Sequence, residues 1–427
     1  TVSFERVYAT AYETHQKYIE EKKTDASSDA SIDLLRESIQ LFRQCLSRPA
    51  GEYSKSAREQ IQYTLSTLYR DAGQLYAAAV FATNVARFGD TAAPTTVASV
   101  GVAFAALQEA HLSQFGDSQN CGELRQIVRL LTLAEERSIP VKQFDSMWYS
   151  TAQLFEREGR HIEAAQCYAR VGERSELFAK AQLAAGRQLW AELLRREQQA
   201  IRAQRAAIES AAAKYLANGI AAMESGDQMS STLLAGKISL AKLSLRRDDP
   251  QQAIELLDGP GGVLKQLGSR PAIPKSFAVT SNEELVRAYR MTGDFDGVRS
   301  VIDRLAKLYG ASGKDRVAGL YRGIAADLLD ELDQTGPLTN RQVDQVENVI
   351  DALVGTDAKT SSDLVIWAAD VWVGLADQAG DNAVRSRCLQ NADRLFGSLS
   401  DSSQLSEGQR LGLQLKRIEL ARASGNH

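Results

Sequence analysis

The sequence predicts an all-α protein, an α-solenoid of stacked antiparallel helix hairpins. Three observations carry this. A phrase recurs at Tyr69–Gly73–Ala78, Phe155–Gly159–Ala164 and Tyr289–Gly293–Val298: an aromatic, a Gly four residues on, and a small or β-branched residue five further. That spacing describes a helix, a tight turn and a second helix packed back on the first. Helix formers are abundant, with only 8 Pro in 427 residues, and β-branched runs are short. No alternating apolar and polar stretch bounded by turn signals reads as a strand.

The elements follow in order. Residues 4–23 form a first helix. The polar loop 25–31 ends in an N-cap and opens a helix over 32–47, with apolar Leu34, Leu35, Ile39, Leu41, Phe42 and Leu46. Ser54 or Ser56 caps the next helix, which carries Ile61, Leu65, Leu68 and Tyr69 and stops at Asp71-Ala-Gly73. A Gly just past the last periodic residue ends a helix because positive φ costs Gly nothing. Residues 75–87 return. Residues 91–96 cap a helix over 97–114, residues 115–118 break it, and 121–137 return.

Pro140 starts the clearest unit. Residues 144–158 hold Trp148, Ala152, Leu154 and Phe155, Gly159-Arg160 turns, and 161–171 hold Ala164, Ala165 and Tyr168. A short helical stretch over 175–185 leads into residues 187–223, where the only breaker is Gly219. This reads as one very long helix, either extended past its neighbours or forming a coiled-coil arm. Residues 230–245 and 251–257 pair around Asp248-Asp-Pro250. Residues 259–274 are rich in Gly and Pro. Beyond them 282–291 pair with 295–309, 315–332 with 340–354, and 361–378 with 382–396, the last pair carrying Trp367 and Trp372 as core residues. A final helix spans 405–423. Gly425 sits where the other hairpins turn, so the last hairpin reads as incomplete and the native chain is expected to continue beyond His427.

These units resemble the tetratricopeptide repeat (TPR), a helix-turn-helix of about 34 residues with a loose pattern of large and small packing positions. Trp148, Ala152, Phe155, Gly159, Ala164 and Tyr168 fall on that pattern. So do Leu65, Tyr69, Gly73, Ala78 and Ala82, then Leu285, Tyr289, Gly293, Phe295 and Ile302, and more weakly Leu240, Ala241 and Ala253 in a unit with no Gly. The resemblance implies a right-handed superhelical TPR-like array, degenerate and interrupted by insertions. It places 1–258 in an N-terminal array, 259–281 in a loop or hinge, and 282–427 in a C-terminal array.

In that family ligands lie along the concave groove lined by the first helix of each hairpin. Carried onto matching positions, the groove displays Tyr63, Thr67 and Arg70, then Tyr149, Gln153 and Arg157, then Lys242 and Arg246, then Arg287 and Arg290. A basic, Tyr-bearing groove suits an acidic or extended peptide, because Arg forks carboxylates and Tyr supplies rigid contact area. The family's carboxylate clamp uses Asn where this chain has Gln153, so capture of a chaperone's C-terminal tail is not supported.

Little points to chemistry. The four His, at 15, 111, 161 and 427, form no ligand pair on one helix face, and His161 falls on a packing position. The four Cys, at 45, 121, 167 and 388, show no metal spacing, and Cys167 reads as a small core residue. Gly310-Ala-Ser-Gly-Lys314 lacks the first Gly of a phosphate loop and has Asp315 where Ser or Thr would bind magnesium. Acids such as Asp330 and Glu331 lie at exposed helix ends. The expected chain therefore has no catalytic residue, metal or cofactor. The net charge of −4 is too mild to imply much, a modestly acidic C-terminal third argues against nucleic acid there, no nucleic-acid partner is expected, and no apolar run is long enough to span a membrane.

The reading is a non-enzymatic scaffold for other proteins. The alternatives are a structural segment of a larger self-assembling or envelope complex, and an α-toroid enzyme, which would need convergent acids in a cavity. The start, Thr-Val-Ser-Phe-Glu, is neither a signal peptide nor an initiator Met. The compartment stays open: cytoplasmic is favoured, with a periplasmic or envelope-associated location as the alternative if a targeting segment precedes residue 1.

Overall fold

The computed structural model describes residues 3–49, 51–113, 121–195, 202–226, 230–268, 274–310, 319, 323, 338–355, 362–400 and 407–423. The described residues are organised as helices, and their one β pairing is an isolated bridge between Leu338 and Ala379. The chain is an all-α solenoid built of two compact units, Thr1–Gly236 and Lys237–His427.

The first unit holds α1 (Phe4–Thr24), α2 (Asp29–Leu46), α3 (Lys55–Asp71), α4 (Leu75–Phe88), α5 (Pro94–Ser113), α6 (Gly122–Glu136), α7 (Phe144–Arg157), α8 (His161–Tyr168), α9 (Phe178–Arg195) and α10 (Arg202–Ser225). Each helix packs on its successor, and α3 also meets α5 while α4 meets α6. Odd-numbered helices thus form one row and even-numbered helices a second. Apolar residues recurring at helical spacing create this arrangement. Ile61, Leu65, Leu68 and Tyr69 of α3 are buried, as are Ala78, Ala82, Val85 and Ala86 of α4. Small residues on the second helix let it approach, and large ones on the first fill the gap. Trp148 and Phe155 are each 1% exposed, and truncating either to Ala would cost about 3–5 kcal/mol.

The recurring phrase has a backbone cause. Gly73, Gly159 and Gly293 adopt φ of +70°, +66° and +72°. The residue after each Gly donates its N–H to the carbonyl of the aromatic: Gln74 to Tyr69 at 2.8 Å, Arg160 to Phe155 at 2.9 Å, Asp294 to Tyr289 at 2.9 Å. This six-to-one bond, with the Gly N–H reaching back to the residue three before it, is the Schellman helix end. The unit without Gly reaches the same geometry through Asp248 at φ +58°, with Asp249 donating to Ser244 at 2.9 Å. Asp tolerates the left-handed region better than most residues with a Cβ.

One expected element is corrected. Residues 187–223 are not a single long helix. They divide into α9 and α10, which pack against each other in antiparallel fashion. A Cβ on Gly186 would lie 2.5 Å from Leu216 Cγ, and one on Gly219 would lie 2.8 Å from the backbone N of Leu183. The two glycines therefore mark where the backbones nearly touch. The apolar stripe that suggested a long arm is folded on itself: Leu189, Leu193, Ala212 and Leu216 are all buried. Residues 196–201, between the helices, lie outside the described residues and carry neither Gly nor Pro, so no local breaker signalled the division.

Helix α11 (Ser231–Arg246) crosses from the first unit into the second. The second unit continues with α12 (Pro250–Asp258), α13 (Val263–Gly268), α14 (Lys275–Thr292), α15 (Phe295–Tyr309), α16 (Asn340–Gly355), α17 (Ser362–Asp377), α18 (Asn382–Ser400) and α19 (Glu407–Ala423). Pro250 occupies the first turn of α12, and Asp249 caps it by accepting from Gln252 N at 3.0 Å. The Gly/Pro-rich stretch belongs to this unit, where Gly262 N–H bonds the Gly259 carbonyl at 2.8 Å and closes a tight turn before α13. Trp372, Phe396, Leu375 and Cys388 anchor a core shared by α16, α17 and α18, while Trp367 is partly buried against it. The expected helix over 315–332, the Gly-Ala-Ser-Gly-Lys segment from Ala311 on, Asp330, Glu331 and Gly425 lie outside the described residues apart from 319 and 323.

Candidate partner-binding surface

Along the odd-numbered row of the first unit, polar contacts join α1 to α3, α3 to α5 and α5 to α7 near their C-terminal ends. Tyr18 of α1 donates to Asp71 Oδ2 of α3 at 2.9 Å, and Lys22 Nζ lies 2.5 Å from the same oxygen. Arg70 Nε of α3 reaches Glu109 Oε2 of α5 at 3.4 Å. His111 Nε2 of α5 lies 3.3 Å from Glu158 Oε1 at the end of α7, with both side chains buried. Cations near helix C-termini also meet the negative end of the helix dipole.

The open space between α1 and α3 is a cavity of about 520 Å³. Tyr63 and Thr67, two of the expected groove residues, line it together with Lys23 and His15. Both expected residues are half-buried, and the Tyr63 hydroxyl has no hydrogen-bond partner among the described residues. Burial lowers the His15 pKa, with the Asp71 carboxylate opposing that shift. Burial raises the Tyr18 phenol, and its hydrogen bond to Asp71 raises it further.

Farther along the row, Gln153 and Arg157 stand one turn apart on α7, exposed and without partners among the described residues. Tyr149 is more enclosed. Its ring packs edge-on against Tyr168 at 5.2 Å, and burial raises its pKa. Arg70 is exposed but engaged by Glu109, a surface pair worth about 0–1 kcal/mol.

In the second unit the expected cations are locally compensated. Lys242 Nζ of α11 lies 3.7 Å from Glu284 Oε1 of α14, and Arg287 Nη1 lies 3.3 Å from Glu284 Oε2. The Glu284 side chain is only 9% exposed, so Lys242 and Arg287 serve to offset a nearly buried carboxylate. Arg246 and Arg290 are half-buried. Of the expected residues, Tyr63, Gln153 and Arg157 of the first unit thus keep polar side-chain groups without partners among the described residues, whereas the Thr67 hydroxyl donates to the Thr64 carbonyl at 2.8 Å.

A second concave surface opens on the even-numbered row, where α6, α8 and α10 bound about 820 Å³. The family pattern does not point there. The signal available was the spacing of Arg125, Val128, Arg129 and Thr132, which puts four side chains on one face of α6.

The four cysteines are buried free thiols, and burial pushes Cys167 up to about 12 and Cys388 up to about 11. Among the described residues no group of three or more His, Cys, Asp or Glu is placed to hold a metal ion, and no helix is long and apolar enough to cross a membrane.

No protein-family model matches the chain, and no curated protein does. Among solved structures the chain is similar to the S. pombe nuclear import adaptor Nro1, at 13% identity over 97% of this chain and 100% of that chain, with a TM-score of 0.17. It is similar to a circular tandem repeat protein of novel repeat topology, at 14% identity over 98% and 96%, with a TM-score of 0.19. It is also similar to the C-terminal domain of Chaetomium thermophilum Nup170, at 13% identity over 99% and 96%, with a TM-score of 0.20. At these scores none of the likenesses carries an argument about this chain.

Proposed function

We propose that this chain is a degenerate TPR-like scaffold without enzymatic activity, and that it holds an extended, acidic segment of another protein along the odd-numbered helices of its first unit. The observation that supports this most is the row of unspent groups on α3 and α7. Tyr63 has a free hydroxyl beside a cavity, and Gln153 and Arg157 are exposed and unpaired among the described residues. Arg157 and Lys23 supply positive charge for carboxylates, Gln153 can pair a peptide backbone, and Tyr63 offers rigid contact area. Helices prepared in this way bind with little rearrangement, which limits the ordering cost of association.

Quantitative affinity capture tests the reading, with the intact chain as bait beside its Tyr63→Ala/Gln153→Ala/Arg157→Ala variant and a Val80→Ala control on α4. The account expects a set of partners lost from the triple variant and kept by the control. Equal retention by both would remove the groove reading.

A second reading, a segment that stacks with further helices, draws on α19. Leu411, Leu415 and Ile418 are 62%, 55% and 51% exposed at helical spacing on one face. Light scattering on the intact chain separates the two, since a monodisperse monomer at high concentration counts against self-assembly.

A further inference from the structure

We infer that the groove between α6, α8 and α10 is a second binding site, distinct from the odd-row surface, and that it takes a peptide segment carrying one apolar or aromatic side chain flanked by carboxylates.

The shape comes first. About 820 Å³ is bounded by one face of α6, one face of α8 and Tyr215 of α10. That volume lies within the range of about 300–1,000 Å³ typical of ligand pockets. The floor is apolar: Trp148, Phe155 and Cys167 reach it from α7 and α8, each at most 4% exposed. Val128 and Tyr215, both half-buried, give the walls apolar surface. A single inserted side chain would cover this floor, which is how anchor residues contribute to peptide binding.

The charge comes second. Arg125 and Arg129 stand one turn apart on α6, exposed at the rim, and neither has an ion-pair partner among the described residues. The third rim arginine, Arg170, bonds Glu135 Oε2 at 3.0 Å and lies 5.8 Å over the Trp148 ring. Trp148 Nε1 donates to the other oxygen of Glu135 at 3.2 Å. The one lining carboxylate, Glu163, is engaged by Arg160. Two guanidinium forks therefore remain unspent beside an apolar floor, and a guanidinium fork matches a carboxylate in two parallel hydrogen bonds.

The same arrangement favours a peptide over nucleic acid. A phosphate backbone needs a continuous basic stripe, whereas Glu135 and Glu163 sit among the rim arginines here. Tyr63, Gln153 and Arg157 contribute nothing to this groove, so the proposal stands or falls apart from the odd-row reading.

Fluorescence anisotropy on the full chain tests it. The probes are labelled peptides of about a dozen residues, each with one central Leu, Ile, Phe, Trp or Tyr among Asp and Glu. An all-acidic peptide with central Ala and an oligothymidylate of matching length accompany them. The variants are Arg125→Glu/Arg129→Glu, Thr132→Trp to fill the groove, and Val80→Ala on α4, which lines neither surface, each checked for an unchanged helical melt. The expected result is saturable binding of at least one anchored peptide, weakened about tenfold or more by the double charge reversal and by Thr132→Trp, and unchanged by Val80→Ala. The inference is overturned if no anchored peptide binds or if the reversal leaves affinity unchanged. It is overturned equally if the Ala peptide or the oligothymidylate binds as tightly as the anchored peptides, which would reduce the groove to nonspecific charge attraction.

Discussion

Replacing Gly219 by Ala tests the close approach of α9 and α10. On an ordinary helix the change gains about 1 kcal/mol, because Ala loses less backbone entropy on folding. At Gly219 the new methyl would sit 2.7 Å from Leu183 Cγ, 2.8 Å from Leu183 N and 2.9 Å from Leu183 Cδ2. A flexible side chain could yield, but the backbone nitrogen can move only with the whole of α9. Overpacking of this kind costs about 1–3 kcal/mol, so the net expectation is a loss of about 1 kcal/mol. Gly101, inside α5, provides the matched control: a Cβ there meets nothing within 4 Å, and Gly101→Ala should gain about 0.5–1 kcal/mol. Native-state hydrogen exchange read by mass spectrometry resolves each hairpin separately, which suits a repeat array that need not unfold in one step. Gly219→Ala should speed exchange in α9 and α10 several-fold, while Gly101→Ala slows it in α5. Slowed or unchanged exchange in α9 and α10 of Gly219→Ala would refute the reasoning and with it the closely apposed hairpin.

Three further predictions follow from single features. Gly159→Ala should cost about 1–2 kcal/mol through its φ of +66° alone, since a Cβ there meets nothing, whereas Asp248→Gly should gain up to about 1 kcal/mol; chemical denaturation of both variants should move midpoints in opposite directions, and shifts of the same sign would contradict the turn assignment. The native chain should react slowly with an aromatic disulfide reagent at pH 8 and release four equivalents only in denaturant, because all four thiols are buried and none is lowered; a fast native equivalent would show an open core. His15 is harder to protonate in the folded chain than in the unfolded one, so the stability it contributes above its ordinary pKa of about 6.5 should fade as pH drops below that value; exchange in α1 and α2, corrected for intrinsic rates, should rise from pH 7.5 to 5.5 in the native chain and rise less in His15→Gln, and identical profiles would remove His15 as the cause.

Where local chemistry decides structure, the sequence was readable. Tyr69–Gly73, Phe155–Gly159 and Tyr289–Gly293 announce their turns because a left-handed C′ residue and the carbonyl four residues earlier belong to one short motif. Asp248 performs the same task, yet an Asp before Asp-Pro carries many meanings, so the fourth turn was less distinct. The α9–α10 division was missed because packing of Gly186 on Leu216 and of Gly219 on Leu183, at distant positions, brings the two helices together. Helical register likewise places Tyr63 and Thr67 on one face of α3, where both line the cavity against α1, and Gln153 and Arg157 on an exposed face of α7. Glu284 stands three residues from Arg287 on α14, within reach of a single-helix pattern, but register could not tell that Glu109 and Glu284, on neighbouring helices, would occupy Arg70 and Lys242. Those pairings depend on how one helix slides against another, which no single-helix pattern encodes. The groove beside Arg125 and Arg129 was hidden for a related reason: their spacing names a face, and only the placement of α10 shows that the face stays open.

The central claim is that the odd-numbered row of the first unit holds an extended protein segment. Photo-crosslinking tests it most directly, with a benzophenone side chain placed at Gln153, at Thr67 or, as control, at Val80, which is 59% exposed on the opposite row. Irradiation followed by mass spectrometry reports which foreign peptide, if any, lies against each position. The account predicts adducts at 153 and 67 to one recurring acidic segment and none of that segment at 80. Adducts to unrelated sequences, or the same segment captured equally from 80, would contradict it.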